Sequence, residues 1–175
     1  IKKSLFSYHS FNEHKVVKKY IDEVLSGKII SLISDAGTPS ISDPGFLIIR
    51  EAIKNNIEID CLPGATAFVP ALVNSGISSD RFIFEGFLPT KKGRKKRLEL
   101  LSNEKRTIII YESPKRILKT LKELIIFFGK DRKASVSREL TKIYQENKRG
   151  TLEELFISFE TRIIKGEIVL IIDGK

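Results

Sequence analysis

"TIIIYESPKRILKTLKELIIFF", residues 107–128, passes from one periodicity to another through a single turn. "TIIIYE" reads as a strand of β-branched and aromatic residues. Ser113-Pro114 then starts a helix on which Ile117, Leu121, Leu124 and Phe128 recur at helical spacing. The same alternation continues on both sides. Upstream lie a strand, "RFIFEGFL" (81–88), and a loop running into a charged helix, "TKKGRKKRLELLSNEK" (90–105). Downstream come a strand, "KASVSREL", a helix, "TLEELFISF", with a Thr151/Glu154 capping box, and a closing strand, "EIVLIID".

An earlier series has the same grammar. Asn12 is placed to cap a helix to Leu25, with Val17, Ile21 and Val24 on one side and Gly27 as its stop. "KIISLI" (28–33) is a nearly continuous apolar run, the pattern of a strand buried on both faces. Asp43-Pro44 has the cap-then-first-turn signature of a helix to about Lys54. "IEIDCL" alternates as a strand, and "PGATAFVPALVNSG" is a turn followed by a short helix ending near Gly76. Strands separated by helices predict an α/β fold with mostly parallel sheets. Two such series predict two lobes, 1–80 and 81–175.

The chain has 175 residues, 41% hydrophobic and 30% charged, which suits a folded globular protein rather than a disordered one. Apolar runs such as "LIIFF" are far short of the roughly 18 residues of a membrane span. "IKKSLFSYHS" lacks the apolar centre of a signal peptide. One cysteine, Cys61, makes no internal disulfide, so a reducing cytoplasm is the expected compartment. A chain that opens on Ile1 and holds no Met reads as a fragment or a processed product. Thirty-one Lys and Arg against 22 Asp and Glu give a net charge of +9, which favours a polyanionic partner, nucleic acid first.

Several chemistries are absent. The two histidines, His9 and His14, and the lone cysteine form no metal-binding motif, and no metal is expected. There is no GxSxG elbow, no GxxxxGKS/T and no GxGxxG. Three loops instead follow strand ends, where α/β sheets bind ligands: "SDAGTPSISDPG" (34–45), "PGATA" (63–67) and "GFLPT" (86–90). Gly37, Gly45 and Gly64 allow close backbone approach, Pro39 and Pro63 stiffen the loops, and Ser34, Thr38, Ser40 and Ser42 offer short donors. Asp35 and Asp43 can accept from ribose hydroxyls or an ammonium group. The competing reading is three ordinary connections, with Asp43 only capping its helix.

"YESPKR" (111–116) and "RELTK" (138–142) each put a Glu and an Arg at a strand end, where they could meet across neighbouring strands. They fit either a ribose and phosphate site or an ion-pair network bracing the sheet. "KKGRKKR" (91–97) holds six basic residues, Lys91, Lys92, Arg94, Lys95, Lys96 and Arg97. Beside a strand-end loop it suits phosphate contacts, its alternative being a solvated face.

"YHSFNE", "SDAGTPSISDPG", "PGATAFVPAL", "GFLPTKKGRKKR", "YESPKR", "RELTK" and "RGTLEEL", in that order, closely resemble one family. It is the small-subunit ribosomal RNA 2′-O-ribose cytidine methyltransferases of subunit I type, within the tetrapyrrole methylase superfamily. The resemblance covers essentially the whole chain. It implies a two-lobed α/β enzyme, commonly a homodimer, with S-adenosyl-L-methionine in a cleft between the lobes. Its substrate would be a cytidine ribose 2′-hydroxyl in small-subunit ribosomal RNA or the assembled small subunit.

By the same resemblance, Asp35, Ala36, Gly37, Thr38, Pro39 and Ser40 hold the cofactor. The Pro63, Gly64, Ala65, Thr66 and Ala67 turn and the surroundings of Glu112, Gly150 and Thr151 join them. Glu112 and Glu139 are candidates for base or orienter, and Arg116, Arg138 and Lys142 for holding phosphate or polarising the hydroxyl. The family pattern opens with a strand and a Pro- and Gly-containing loop that nothing here matches, so the first lobe is expected to be incomplete. Tyr144 stands where the family usually has His. The alternatives are a tetrapyrrole-precursor methyltransferase and a non-catalytic basic RNA-binding module.

Overall fold

The two most apolar runs of the second half lie at the middle of its sheet. In the computed structural model, which describes residues 3–175, β2 (Thr107–Glu112) and β5 (Ile168–Ile172) are neighbours and buried over almost their whole length. Both faces of these strands are covered, with Tyr111 partly exposed. Ile108, Ile110, Ile168, Leu170 and Ile172 enter one apolar cluster, while Ile109, Val169 and Ile171 enter another on the opposite face. Each such side chain contributes about 1.5–3 kcal/mol on burial, so the centre dominates the energetics. β3 (Lys133–Arg138) follows β5, with β1 (Phe82–Phe87) and β4 (Glu146–Thr151) on the edges, in the order β1-β2-β5-β3-β4.

Helices cover both faces. The short α3 (Phe68–Ser75) sets Ala71 and Leu72 against Ile109, Val169 and Ile171. On the other side, α4 (Arg94–Leu101), α5 (Ile117–Phe128) and α6 (Leu152–Glu160) bring in Leu98, Leu121, Leu124, Leu155 and Phe159. The Thr151/Glu154 capping box opens α6 as expected.

The expectation of a mostly parallel sheet is corrected. Among the described residues only β1–β2 is parallel; β2–β5, β5–β3 and β3–β4 are antiparallel. β3 turns into β4 through seven residues with no crossover helix, and antiparallel strands need none. β4, "ENKRGT", has no apolar alternation to announce it. Its backbone pairs with β3, and its Lys and Arg suit an exposed edge.

This topology sends the carboxyl ends of β1, β2 and β3 to one end of the sheet. Glu112 and Arg138 there flank Ile168 of β5 in register and share its face. Gly150 and Thr151 pair with Ala134 and Lys133 at the opposite end.

The chain divides into two compact units, Ile1–Thr66 and Ala67–Lys175. The division expected between 80 and 81 thus falls earlier, because α3 packs on the second unit's sheet. In the first unit, α1 (Glu13–Leu25) and α2 (Phe46–Lys54) pack together and bury Tyr20, Ile21 and Ala52. Asn12 is the cap residue of α1, its Oδ1 accepting from the His9 amide at 2.8 Å. Asp43 is not the cap of α2; Gly45 is. The expected strands "KIISLI" and "IEIDCL" form no ladder among the described residues. A strand closed on both faces needs neighbours, and here Ile29 is 97% exposed. The expectation drawn from Ile1 lies outside the described residues.

Candidate functional site

Two of the predicted loops meet within the first unit. Thr38 Oγ1 donates to the Ala65 carbonyl at 3.0 Å, joining "SDAGTPS" to "PGATA". Gly37 has φ +77°, and a Cβ there would stand 3.3 Å from the Ala65 oxygen. One on Gly64 would stand 3.1 Å from Thr38 Oγ1. The contact therefore needs small residues on both sides. Ser34 Oγ closes the first loop on the Gly37 carbonyl at 2.7 Å.

Ser40 and Ser42 hold positive φ, +72° and +62°, conformations that cost non-glycine residues energy and persist where surroundings impose them. Ser40 Oγ is buried, has no hydrogen-bond partner among the described residues, and lies against Gly45, where a Cβ would collide with it. Asp35, Ala36, Gly37, Pro63, Gly64 and Ala65 remain exposed, while Thr38, Pro39, Ser40 and Thr66 are half-buried. Exposed backbone, a free-facing carboxylate at Asp35 and an unpartnered hydroxyl together fit a polar ligand with ribose and amino groups. Beside the loop's far end is a cavity of about 560 Å³ whose lining includes His14, Asp43 and Phe46. Phe46 had drawn no attention in the sequence. Ala67 is the cap residue of α3 in the second unit.

In the second unit, the strand-end acids and bases are paired, but no pair joins one motif to the other. The Glu112 side chain is fully enclosed. Its Oε1 accepts from Arg116 Nε at 2.6 Å and from the Ser113 amide at 2.7 Å; its Oε2 accepts from Thr120 Oγ1 at 2.6 Å. One Arg116 nitrogen, Nη2, is buried and has no hydrogen-bond partner among the described residues. Arg138 donates to Glu146 at 3.2 Å and to the Lys165 carbonyl at 3.0 Å. The expectation that the Glu and Arg of the two motifs meet across neighbouring strands is therefore corrected. β5 lies between them and keeps Glu112 and Arg138 about 10 Å apart.

Just beyond Arg138, Lys142 Nζ donates to Glu139 at 2.9 Å and to Glu167 at 3.1 Å. The Glu167 amide and then the Lys142 ammonium hold the Glu139 carboxyl below its ordinary range. Glu139, followed by Glu167, pushes the Lys142 ammonium up. Arg162, reinforced by Arg138, holds Glu146 down in the same way.

The basic block divides. Lys91, Lys92, Lys95 and Lys96 are exposed. Arg94 is not a surface residue, and its expected place among phosphate contacts is corrected: it is 5% exposed. Its Nε donates to Glu123 at 2.7 Å, Nη2 to Thr120 Oγ1 at 2.7 Å and Nη1 to the Pro89 carbonyl at 3.0 Å. Arg97 pairs with Glu85 and stays partly exposed. Thr120 thus bridges Arg94 to Glu112. Its signal in the sequence was a polar residue on the buried stripe of α5, among Ile117, Leu121 and Leu124.

Gly150 and Thr151 are not brought to Glu112. They stand at the other end of the sheet, about 13 Å away along the strands alone. Thr151 is occupied in capping α6. Charge is as uneven as geometry. Residues 67–175 carry 23 Lys and Arg against 14 Asp and Glu, so the whole net charge of +9 belongs to the second unit. Among the described residues, no helix is long and apolar enough to cross a membrane.

A sequence profile of the Tetrapyrrole (Corrin/Porphyrin) Methylases matches residues 3–155. The chain is similar to a protein named ribosomal RNA small subunit methyltransferase I in Synechocystis sp., 46% identical over 169 residues, 96% of this chain and 61% of that one. Its likeness to the protein of that name in Thermotoga maritima is 41% over 175 residues, 100% of this chain and 78% of that one. The chain thus spans about three fifths of the first relative's length. Solved structures share the fold. A diphthine synthase superposes with a TM-score of 0.71 at 13% identity, covering 98% of this chain and 70% of that one. A uroporphyrin-III C-methyltransferase from Thermus thermophilus, complexed with S-adenyl homocysteine, gives 0.62 at 12% identity, covering 94% and 74%.

Proposed function

The chain belongs to the tetrapyrrole (corrin/porphyrin) methylase family, and from that premise we propose that it is part of a methyltransferase that moves a methyl group from S-adenosylmethionine to the ribose 2′-hydroxyl of a cytidine in small-subunit ribosomal RNA. The observation that carries this reading is the 41–46% identity, over nearly all of the chain, to proteins named for methylating that RNA. Relatives named for tetrapyrrole substrates are only 12–19% identical and share the fold alone. The concentration of all net positive charge in residues 67–175 favours an extended polyanion over a compact polyanionic macrocycle.

The joined loops Asp35–Ser40 and Pro63–Thr66 would hold the cofactor, Asp35 accepting from its hydroxyl or amino groups and Gly37 and Gly64 leaving room at the backbone. The bound cofactor would supply a sulfonium methyl that needs no further activation. As the 2′-oxygen bonds to it, the sulfur–methyl bond breaks and the hydroxyl proton passes to solvent, so the protein's work is positioning. Glu112, enclosed by three donors, would position Arg116 rather than take a proton itself. Arg116, Arg138 and Lys142 remain the groups proposed to face ribose and phosphate, with Glu139 as the orienter of Lys142. Gly150 and Thr151 would contribute only through the capped start of α6. A cytoplasmic homodimer is the expected form of the complete protein.

Calorimetric titration of S-adenosylmethionine into the full-length protein and its Gly37→Val variant tests the cofactor site. A strained Cβ against Ala65 should abolish binding; equal affinity in both proteins would remove the loop from the site.

A further inference from the structure

The seven residues between β3 and β4 form a braced surface loop. Their polar groups are tied to one another and to Glu167. The Lys142 amide donates to the Glu139 carbonyl at 3.0 Å, the Gln145 amide to the Lys142 carbonyl at 3.1 Å, and the Thr141 amide to Gln145 Oε1 at 2.6 Å. Glu139 also exchanges hydrogen bonds with the Glu167 backbone, at 3.0 and 2.9 Å. Of the loop's apolar side chains, Leu140 packs against the sheet, while Ile143 is 96% exposed and Tyr144 74%. Glu139 and Thr141 hold left-handed backbone, φ +50° and +65°, which is uncommon for any non-glycine residue and an outlier for a β-branched one.

Single exposed apolar residues are unremarkable, but an adjacent pair on a braced and strained tip is a display. Its position adds to this. The tip leaves the sheet at the carboxyl end of β3, the end that also carries Glu112, Arg138 and the start of the basic loop. It projects from the unit that holds the entire net positive charge. A positively charged surface with a rigid aromatic side chain is how proteins hold unpaired nucleotides, by phosphate attraction and base stacking. A tyrosine suits the task because it offers a large face while losing few rotors.

We infer that Tyr144, flanked by Ile143, stacks on an unpaired base of the RNA substrate and positions the strand at this end of the sheet. This rests on the ribosomal RNA reading above. The test measures binding of the full-length protein to a short unstructured pyrimidine-rich RNA and to a fully paired duplex, over a range of salt. Tyr144→Ala should bind the single strand roughly 5- to 150-fold more weakly, with Tyr144→Phe near wild type. The salt slope should not change, since no phosphate contact is lost. Duplex binding and melting temperature should also stay constant.

Unchanged single-strand affinity in Tyr144→Ala would overturn the inference, as would an equal loss on the duplex. A change in sedimentation without a change in RNA affinity would overturn it too, in favour of a protein partner. If the wild-type protein binds neither RNA, the ribosomal RNA reading falls first and this one with it.

Discussion

Arg94→Ala separates the two roles available to the basic block. In the structure this guanidinium makes three hydrogen bonds at 5% exposure, to Glu123, Thr120 and Pro89. Removing one member of a fully buried ion pair costs about 3–5 kcal/mol. Here the partner is less isolated: the Glu123 side chain is 24% exposed and has Lys119 at 3.9 Å. That halves the figure, to roughly 2 kcal/mol. Thr120 and the Pro89 carbonyl lose a donor as well, at about 0.5–1 kcal/mol each for partly compensated groups. The total is about 3 kcal/mol. For a chain of this size each kcal/mol shifts the melting temperature by about 2–4 °C, so the variant should melt about 6–12 °C below wild type. Lys92→Ala, on the exposed side of the same loop, should stay within about 0.5 kcal/mol of it. Thermal unfolding followed by circular dichroism at neutral pH decides the matter. An Arg94→Ala protein that melts with the Lys92→Ala control would refute the bracing role and return Arg94 to the surface.

Replacing Lys91, Lys92, Lys95 and Lys96 together by Ser should leave the melting temperature nearly unchanged. It should lower the salt slope of RNA binding by up to about 3, as measured by filter binding. The Glu139 pKa lies below its ordinary 4.5 in the folded protein, so its contribution to the 139–145 tip is complete above that value. That contribution is lost as pH falls through the depressed value, so the protection of the Glu167 amide relative to its intrinsic exchange rate, followed by NMR, should drop there and stay constant between pH 6 and 8. Gly45→Ala would drive a Cβ into Ser40 Oγ. It should weaken cofactor binding by more than about tenfold, as read by calorimetry, while α1 and α2 stay folded by circular dichroism.

The second unit was legible because its signals are local. "TIIIYE" and "EIVLIID" are apolar beyond what a half-exposed strand needs, and α5 repeats its buried residues at helical spacing. Strand direction was not local. Inserting β5 antiparallel between β2 and β3 depends on pairings across the chain, which the alternation of strands and helices does not encode. β4 escaped because an edge strand held by backbone bonds needs no apolar pattern. In the first unit the apolar runs were visible, but a run becomes a strand only beside another, and no ladder forms there among the described residues.

The candidate site divides in the same way. Glycines and hydroxyls in "SDAGTPSISDPG" pointed to a tight loop, and its junction with "PGATA" follows from a single long-range bond, Thr38 to Ala65. The role of Arg94 was hidden because six basic residues in a row look alike until a fold turns one inward. The sequence marked Tyr144 only as a departure from the family's His and left Ile143 silent, since the exposure of both depends on the braced backbone beneath them.

The most direct test of the proposed activity follows the methyl group itself. Full-length protein is incubated with methyl-labelled S-adenosylmethionine and small ribosomal subunits from cells lacking the enzyme, and the RNA is digested to nucleosides. The account predicts label in 2′-O-methylcytidine. Label on a base, label only when a tetrapyrrole precursor is supplied, or no transfer to RNA at all would contradict it.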